Sequence, residues 1–118
     1  MTQRFANNAV STLNGAISSS ATTINLQTGD GAKFPALSGG DYFLATLIGK
    51  TAGMETSWEI VKCTSRSSDT LTVERAREGT ASAAWADATP IELRLTAGSL
   101  TPPNPDVESL AILNYIGY

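Results

Sequence analysis

The 118-residue sequence contains no histidine and a single cysteine, Cys63. Histidine is the commonest catalytic base and a frequent zinc ligand, so its absence removes the usual serine and cysteine triads and any cysteine–histidine zinc site. One thiol makes no intrachain disulfide, which leaves Cys63 as a small residue of the core. Long apolar runs are also missing: none approaches the roughly 20 residues a membrane span requires. The N-terminal "MTQRFANNAV" lacks the basic region and apolar stretch of a secretory signal, so the expectation is a soluble protein that is not exported by the usual route. Charge of one sign is scarce as well. Eight basic residues face eleven acidic ones, for a formal net charge of −3, and the basic ones are scattered from Arg4 to Arg94. No stretch concentrates positive charge against a phosphate backbone, and neither nucleic acid nor membrane is an expected partner.

What is present is the composition of one globular domain, 42% hydrophobic and 16% charged, on a chain long enough to bury a core without metal or disulfides. "SATTINLQ" (20–27) alternates, with Ile24 and Leu26 on one face. "DYFLATLIG" (41–49) is a denser apolar run bounded by glycines and reads as a more central strand. "WEIVKCTSR" sets Glu59, Val61 and Cys63 against Trp58, Ile60, Lys62 and Thr64, with the inward face left open. "TLTVERAR" follows after "SSD" and makes a β-hairpin with it, and "TPIELRLTA" (89–97) alternates most cleanly, with Ile91, Leu93 and Leu95 on one side. Between the first two runs "TGDGAKFPALSGGD" is a long turn pinned by Phe34, and "TAGMETS" reads as a loop. Several short strands without crossover helices define the expected fold class: mainly β, a small antiparallel β-sandwich or barrel with an extended N-terminal arm and a short C-terminal helix.

The chain divides accordingly into an N-terminal arm or short helix (1–19), a β-domain (20–98), a Pro-rich linker (99–105) and an apolar helical segment (106–118). Asn104 or Asp106 offers the N-cap of that last segment, and Glu108 sits in its first turn. Beyond Glu108 it carries no charge, and Val107, Leu110, Ile112, Leu113, Tyr115 and Ile116 spread around nearly its whole circumference. A surface helix needs one apolar face only, so burial between subunits is the economical expectation, with folding back on the parent domain as the alternative. The candidate interface therefore comprises Val107, Leu110, Ile112, Leu113, Tyr115, Ile116 and Tyr118, joined by Arg4, Phe5, Asn7 and Asn8 of the arm.

"VERAREGT" (73–80) raises a sharper possibility, an anion site clamped by Arg75 and Arg77 with Gly79 admitting backbone amides. It lacks the glycine spacing and lysine of a phosphate loop. The preferred reading is a structural turn through Arg75, Arg77, Glu78 and Gly79, in which Arg75, on the face of Leu71 and Val73, needs a carboxylate partner if it is buried. A glycosidase-like carboxylate pair, or a sugar platform of Trp58, Trp85, Tyr42 and Phe43, has bland counterparts in solvated acids and core aromatics. No catalytic, cofactor-binding or metal residue is expected.

The series "RFANNA", "ATTINLQTGDGAKFPAL", "GGDYF", "WEIVKCTSRSSDTLTVERAREGT" and "IELRLTAG", spanning roughly residues 4–98, resembles a module of tailed-bacteriophage structural proteins, the N-terminal region of tail fibres and tail-fibre-like proteins. The resemblance implies a virion component made in the host bacterial cytoplasm, whose β-rich domain docks onto the tail, neck or capsid. In fibres a receptor-binding region follows; here only residues 101–118 follow "LTAGSL", so a tail, collar or fibre-attachment adaptor, or a capsid decoration or head-fibre base protein, suits the length. Homo-oligomerisation is expected, with a trimer as the first choice. From a different class comes a receptor- or glycan-binding module.

Overall fold

The apolar density of "FLATLI" produces the strand around which the rest is arranged. In the computed structural model, which describes residues 2–100, β3 (Phe43–Thr51) is buried on both faces from Phe43 to Ile48. Its neighbours are the long β4 (Met54–Ser67), in full antiparallel pairing, and the short β6 (Pro90–Glu92), which meets it at Thr46 and Leu47. β5 (Thr70–Arg77) pairs with β4, and β2 (Thr23–Asn25) with β5. β1 (Val10–Thr12) lies on the far side of β6, so the sheet order is β1-β6-β3-β4-β5-β2, with every strand pairing antiparallel.

This sheet curls until its two edges meet. Leu13, just after β1, forms an antiparallel bridge with Leu26, just after β2. The Asn14 amide donates to the Asn25 carbonyl at 2.8 Å, and the Gln27 side-chain amide donates to the Leu13 carbonyl at 3.0 Å. A curled sheet whose edges are tied in this way protects the unpaired backbone groups that an open edge strand exposes. The mainly β, antiparallel, barrel-like class expected from the sequence is the one observed. Inside the curl, Leu13, Ile24, Leu26, Leu47, Leu71 and Ile91 are fully or almost fully buried, and Phe43 stacks on Phe34 with ring centroids 5.5 Å apart.

Three local expectations need correction. Residues 1–19, set apart as an arm or short helix, contain β1 and the core residues Ala9 and Leu13. The stretch is therefore part of the barrel, because β6 has no other partner on that side. Residues 2–4 do run extended, yet against their own domain: Tyr42 and Arg4 exchange backbone hydrogen bonds with Thr2 and Tyr42, at 3.0 and 2.7 Å.

"TAGMETS" is not an open loop. β3 runs to Thr51, β4 starts at Met54, and Ala52 and Gly53 turn between them with φ of 53° and 80°, the two positive values of a type I′ turn. Finally, "TPIELRLTA" is a strand for three residues only. Ile91 is buried and Leu93 half-buried, its amide still donating to the Ala9 carbonyl at 2.9 Å, but Leu95 is 58% exposed, where the chain is held instead by side-chain bonds at Arg94 and Thr96.

The long turn after β2 is pinned as its composition suggests, with Phe34 buried behind a 3-10 turn at Asp30–Lys33. Asp69, in the β4–β5 turn, accepts the amides of Gly29 (3.1 Å) and Gly31 (2.8 Å). A Cβ at Gly31 would be driven into the Ser68 carbonyl. Backbone has little room to give, so Gly31→Ala is expected to cost about 2 kcal/mol, read as a lowered urea midpoint with an unchanged slope.

Candidate interaction site

The turn that seemed able to grip an anion is built around an ion pair facing inward. Between Ile60 and Lys62 the β4–β5 register slips, so that Val61 alone faces Arg75 and Ala76. A bulge of this kind re-aims a side chain, and Ala76 takes up φ of 56°. Arg75 consequently enters the core side of the sheet, with its side chain 8% exposed against a fully buried Glu59. Nε donates to Glu59 Oε2 at 2.7 Å and Nη2 to Oε1 at 2.9 Å. The remaining guanidinium hydrogens go to the carbonyls of Ser18 (2.8 Å), Ala21 (2.9 Å) and Ala83 (2.6 Å).

Arg75 thus spends all of its five donors on its own chain, and none is left for a phosphate. The carboxylate is equally engaged: beyond Arg75, it accepts the amides of Ala76 (3.1 Å) and Ala83 (3.0 Å) and the Trp85 indole N–H (2.9 Å). Burial pushes the Glu59 carboxyl up, but the hydrogen bonds from Arg75, Trp85, Ala83 and Ala76 outweigh it and hold the group below the ordinary carboxylate value.

The other residues of this turn have separate roles. Arg77 makes a half-exposed pair with Glu74 at 3.4 Å. Gly79 supplies φ of 81°, and Thr80 accepts the Ile60 amide at 3.0 Å, closing the end of the β4–β5 ladder. Glu78 reaches across to the end of the described chain, where it accepts the Thr96 hydroxyl at 2.6 Å and the Gly98 amide at 2.9 Å. Thr96 shares a hydrogen bond with Ser99, which accepts one from the side chain of Gln3 at 2.8 Å. Glu78 therefore fixes the path of the chain through the 3-10 turn Gly98–Leu100, and with it the point from which residues 101–118 depart.

Of the expected interface residues, Arg4 is exposed but bonded to Asp41 at 3.1 Å, Phe5 is 53% exposed, and Asn7 and Asn8 are exposed. Val107, Leu110, Ile112, Leu113, Tyr115, Ile116 and Tyr118, with the helical segment they were assigned to and most of the linker, lie outside the described residues. The four aromatics of the sugar-platform reading are separated: Phe43 and Trp85 are in the core, Tyr42 is half-buried beneath the Lys62 ammonium (4.8 Å), and Trp58 alone is largely exposed. Cys63 is fully buried, and burial pushes its thiol up to about 11, so it stays protonated and unreactive. Every Asp and Glu among the described residues is engaged with a side chain or an amide of this chain.

The remaining feature escaped the sequence reading. Beyond the body of the barrel, β3 and β4 continue as a ribbon in which Lys50 to Trp58 are all exposed. Neither β5 nor β6 extends to it: the β4–β5 ladder begins at Ile60, and β6 pairs with β3 no further than Leu47. The ribbon carries Met54, 71% exposed, at its tip and Trp58, 47% exposed, at its base. Glu55 links it to the chain's C-terminal stretch. It accepts the Trp58 indole N–H at 2.8 Å and both terminal nitrogens of Arg94, at 2.9 and 2.8 Å; the Arg94 and Trp58 bonds hold its carboxyl down at about 2. Arg94 also pairs with Glu92 at 3.0 Å. Trp58 is therefore held at the root of a projecting ribbon by the same carboxylate that binds Arg94, and Leu95, the next residue after Arg94, is also exposed. Neither a comparison with protein-family models nor one with curated proteins finds a match to the chain.

Proposed function

We propose that this protein is a non-enzymatic virion structural protein of a tailed bacteriophage, an adaptor at the tail, collar or fibre attachment that works by protein–protein contact. The observation that carries the reading is the contrast between its two parts. The barrel closes a core of its own from residues between Ala6 and Leu93, and its buried polar side chains are all hydrogen-bonded among the described residues. The segment after Leu100 is apolar and uncharged beyond Glu108. A complete scaffold with an apolar extension is suited to assembly, since the extension needs a surface supplied from outside. The ordered resemblance to fibre N-terminal modules supports the same reading and makes a trimer the first expectation, with other virion proteins as further partners. A capsid decoration or head-fibre base protein would use the same parts.

A chain ending at Leu100 is expected to keep the far-UV circular dichroism of the full chain and a urea unfolding free energy within about 1 kcal/mol of it. It is expected to lose self-association. A truncated chain that fails to fold would instead assign residues 101–118 to the domain's own core. The exposure of Trp58 favours one reading from another class, a glycan-binding module, for which the isolated protein would bind host surface polysaccharide and lose that binding on Trp58→Ala.

A further inference from the structure

We infer that Asn14 is a site of spontaneous covalent modification in the folded protein, restrained by Asp87: its side chain condenses with the Gly15 nitrogen, ammonia leaves, and the product disturbs the seam that closes the barrel.

Of the six asparagines in the chain, Asn14 alone precedes a glycine. Glycine has no Cβ to shield its nitrogen. Asn14 and Gly15 form an exposed bend, and a Cβ built at Gly15, where φ is 107°, would meet nothing within 4 Å. The Asn14 side chain makes no hydrogen bond among the described residues. Two other positions show what engagement looks like. At Asp30–Gly31, Asp30 is held by the Ser11 hydroxyl at 2.8 Å and by Lys33 at 3.1 Å, and Gly31 is packed against the Ser68 carbonyl. Asn25 lies in β2, accepts the Thr70 hydroxyl at 3.0 Å and precedes the bulky Leu26.

The step needs no reagent but water. The Gly15 nitrogen attacks Asn14 Cγ, the bond from Cγ to the side-chain nitrogen breaks, and that nitrogen leaves as ammonia, carrying the proton lost from Gly15. A cyclic imide remains. Water opens it at either carbonyl, giving aspartate or isoaspartate; in the latter the main chain runs through the former side chain and is one carbon longer.

Asp87 slows the attack. Its carboxylate accepts the Gly15 N–H at 2.7 Å, so an anion holds the proton that must leave and opposes the negative charge that develops on the nitrogen. The product, in turn, falls where the backbone is fixed on both sides. Leu13 bridges Leu26, and Ile17 exchanges backbone bonds with Trp85 at 2.9 and 3.0 Å. Only residues 14–16 lie between these anchors to absorb an extra main-chain carbon, and Asn14 itself ties the seam by donating its amide to the Asn25 carbonyl at 2.8 Å. A new carboxylate also arises next to the residue that Asp87 binds.

The test ages the full chain at mildly alkaline pH. Digestion after Arg4 and Lys33 releases one peptide that contains both Asn14 and Asn25, and mass spectrometry with isoaspartate-specific fragmentation follows each. Conversion, a gain of one mass unit, is expected to run faster at Asn14; conversion there no faster than at Asn25 would overturn the site. Asp87 is exposed and its side chain bonds only Gly15 among the described residues, so Asp87→Ala is expected to fold and to convert about tenfold faster, the kinetic equivalent of one lost charge-assisted hydrogen bond. An unchanged or slower rate would overturn the restraint by Asp87. The aged fraction, separated by its added negative charge, is expected to show a lowered urea midpoint. Asn14→Asp, which has the charge without the longer main chain, is expected to stay closer to the parent. Equal midpoints for aged and parent chains would overturn the effect on the seam.

Discussion

Replacing Glu59 by alanine is expected to remove about 3–5 kcal/mol of stability, the cost of stranding a buried charge, a large part of the whole for a domain of this size. The size of the effect follows from what the carboxylate holds. Without it, the Arg75 guanidinium remains in a site where its side chain is 8% exposed. The Trp85 indole and the Ala76 and Ala83 amides lose their acceptor as well, and each orphaned donor adds a desolvation penalty. Urea denaturation followed by circular dichroism measures the loss.

Glu59→Gln, which keeps the shape and removes the charge, is expected to cost less. Replacing both partners, Glu59→Leu with Arg75→Met, is expected to be milder than the sum of the single changes, although the amides and the indole stay unpaired. The same group gives an acid limb. Folding holds the Glu59 carboxyl below its ordinary value of 4.5, so its stabilisation is complete above that value and is lost as pH falls through the lowered folded-state value, where the unfolded chain binds the proton more readily. The limb is expected to flatten in Glu59→Gln.

The second large effect concerns the N-terminal residues. A chain beginning at residue 20 is expected to show no cooperative urea transition. Its loss removes β1 and so leaves β6 unpaired on one side, takes away Leu13 and Ala9 from the core, breaks the Leu13–Leu26 bridge that ties the sheet edges, and deprives Arg75 of the Ser18 carbonyl. Leu13→Ala alone, at a fully buried position, is expected to cost about 3 kcal/mol by leaving a cavity. A chain beginning at residue 20 that melts cooperatively would show that the barrel closes without β1.

These two results bear on what the sequence makes legible. β4 and β5 are long enough for alternation to speak, and the position of Arg75 on the face of Leu71 and Val73 called for a carboxylate partner if that face proved buried, as it does. That the partner is Glu59 follows from its place beside Val61 and Cys63 on the inward face of β4, once that face is known. β1 is opaque for a different reason: three residues hold too little alternation to read, and its place in the sheet comes from β6, some 80 residues away in sequence. The tight turn at Ala52 and Gly53 hides because alanine stands where asparagine or aspartate would announce positive φ. Leu95 misleads in the opposite sense, since it keeps the strand period where side-chain bonds at Arg94 and Thr96 hold the chain instead. The Glu78 contacts to Thr96 and Gly98 have no pattern to betray them. The ribbon is visible only when the ends of β5 and β6 are known.

The most direct test of the account is the solution mass of the full chain by light scattering, set beside that of the chain ending at Leu100. The account predicts a defined oligomer for the full chain, a trimer in the first instance, that becomes a folded monomer on truncation. Equal masses for the two chains, whether both monomeric or both oligomeric, would contradict it.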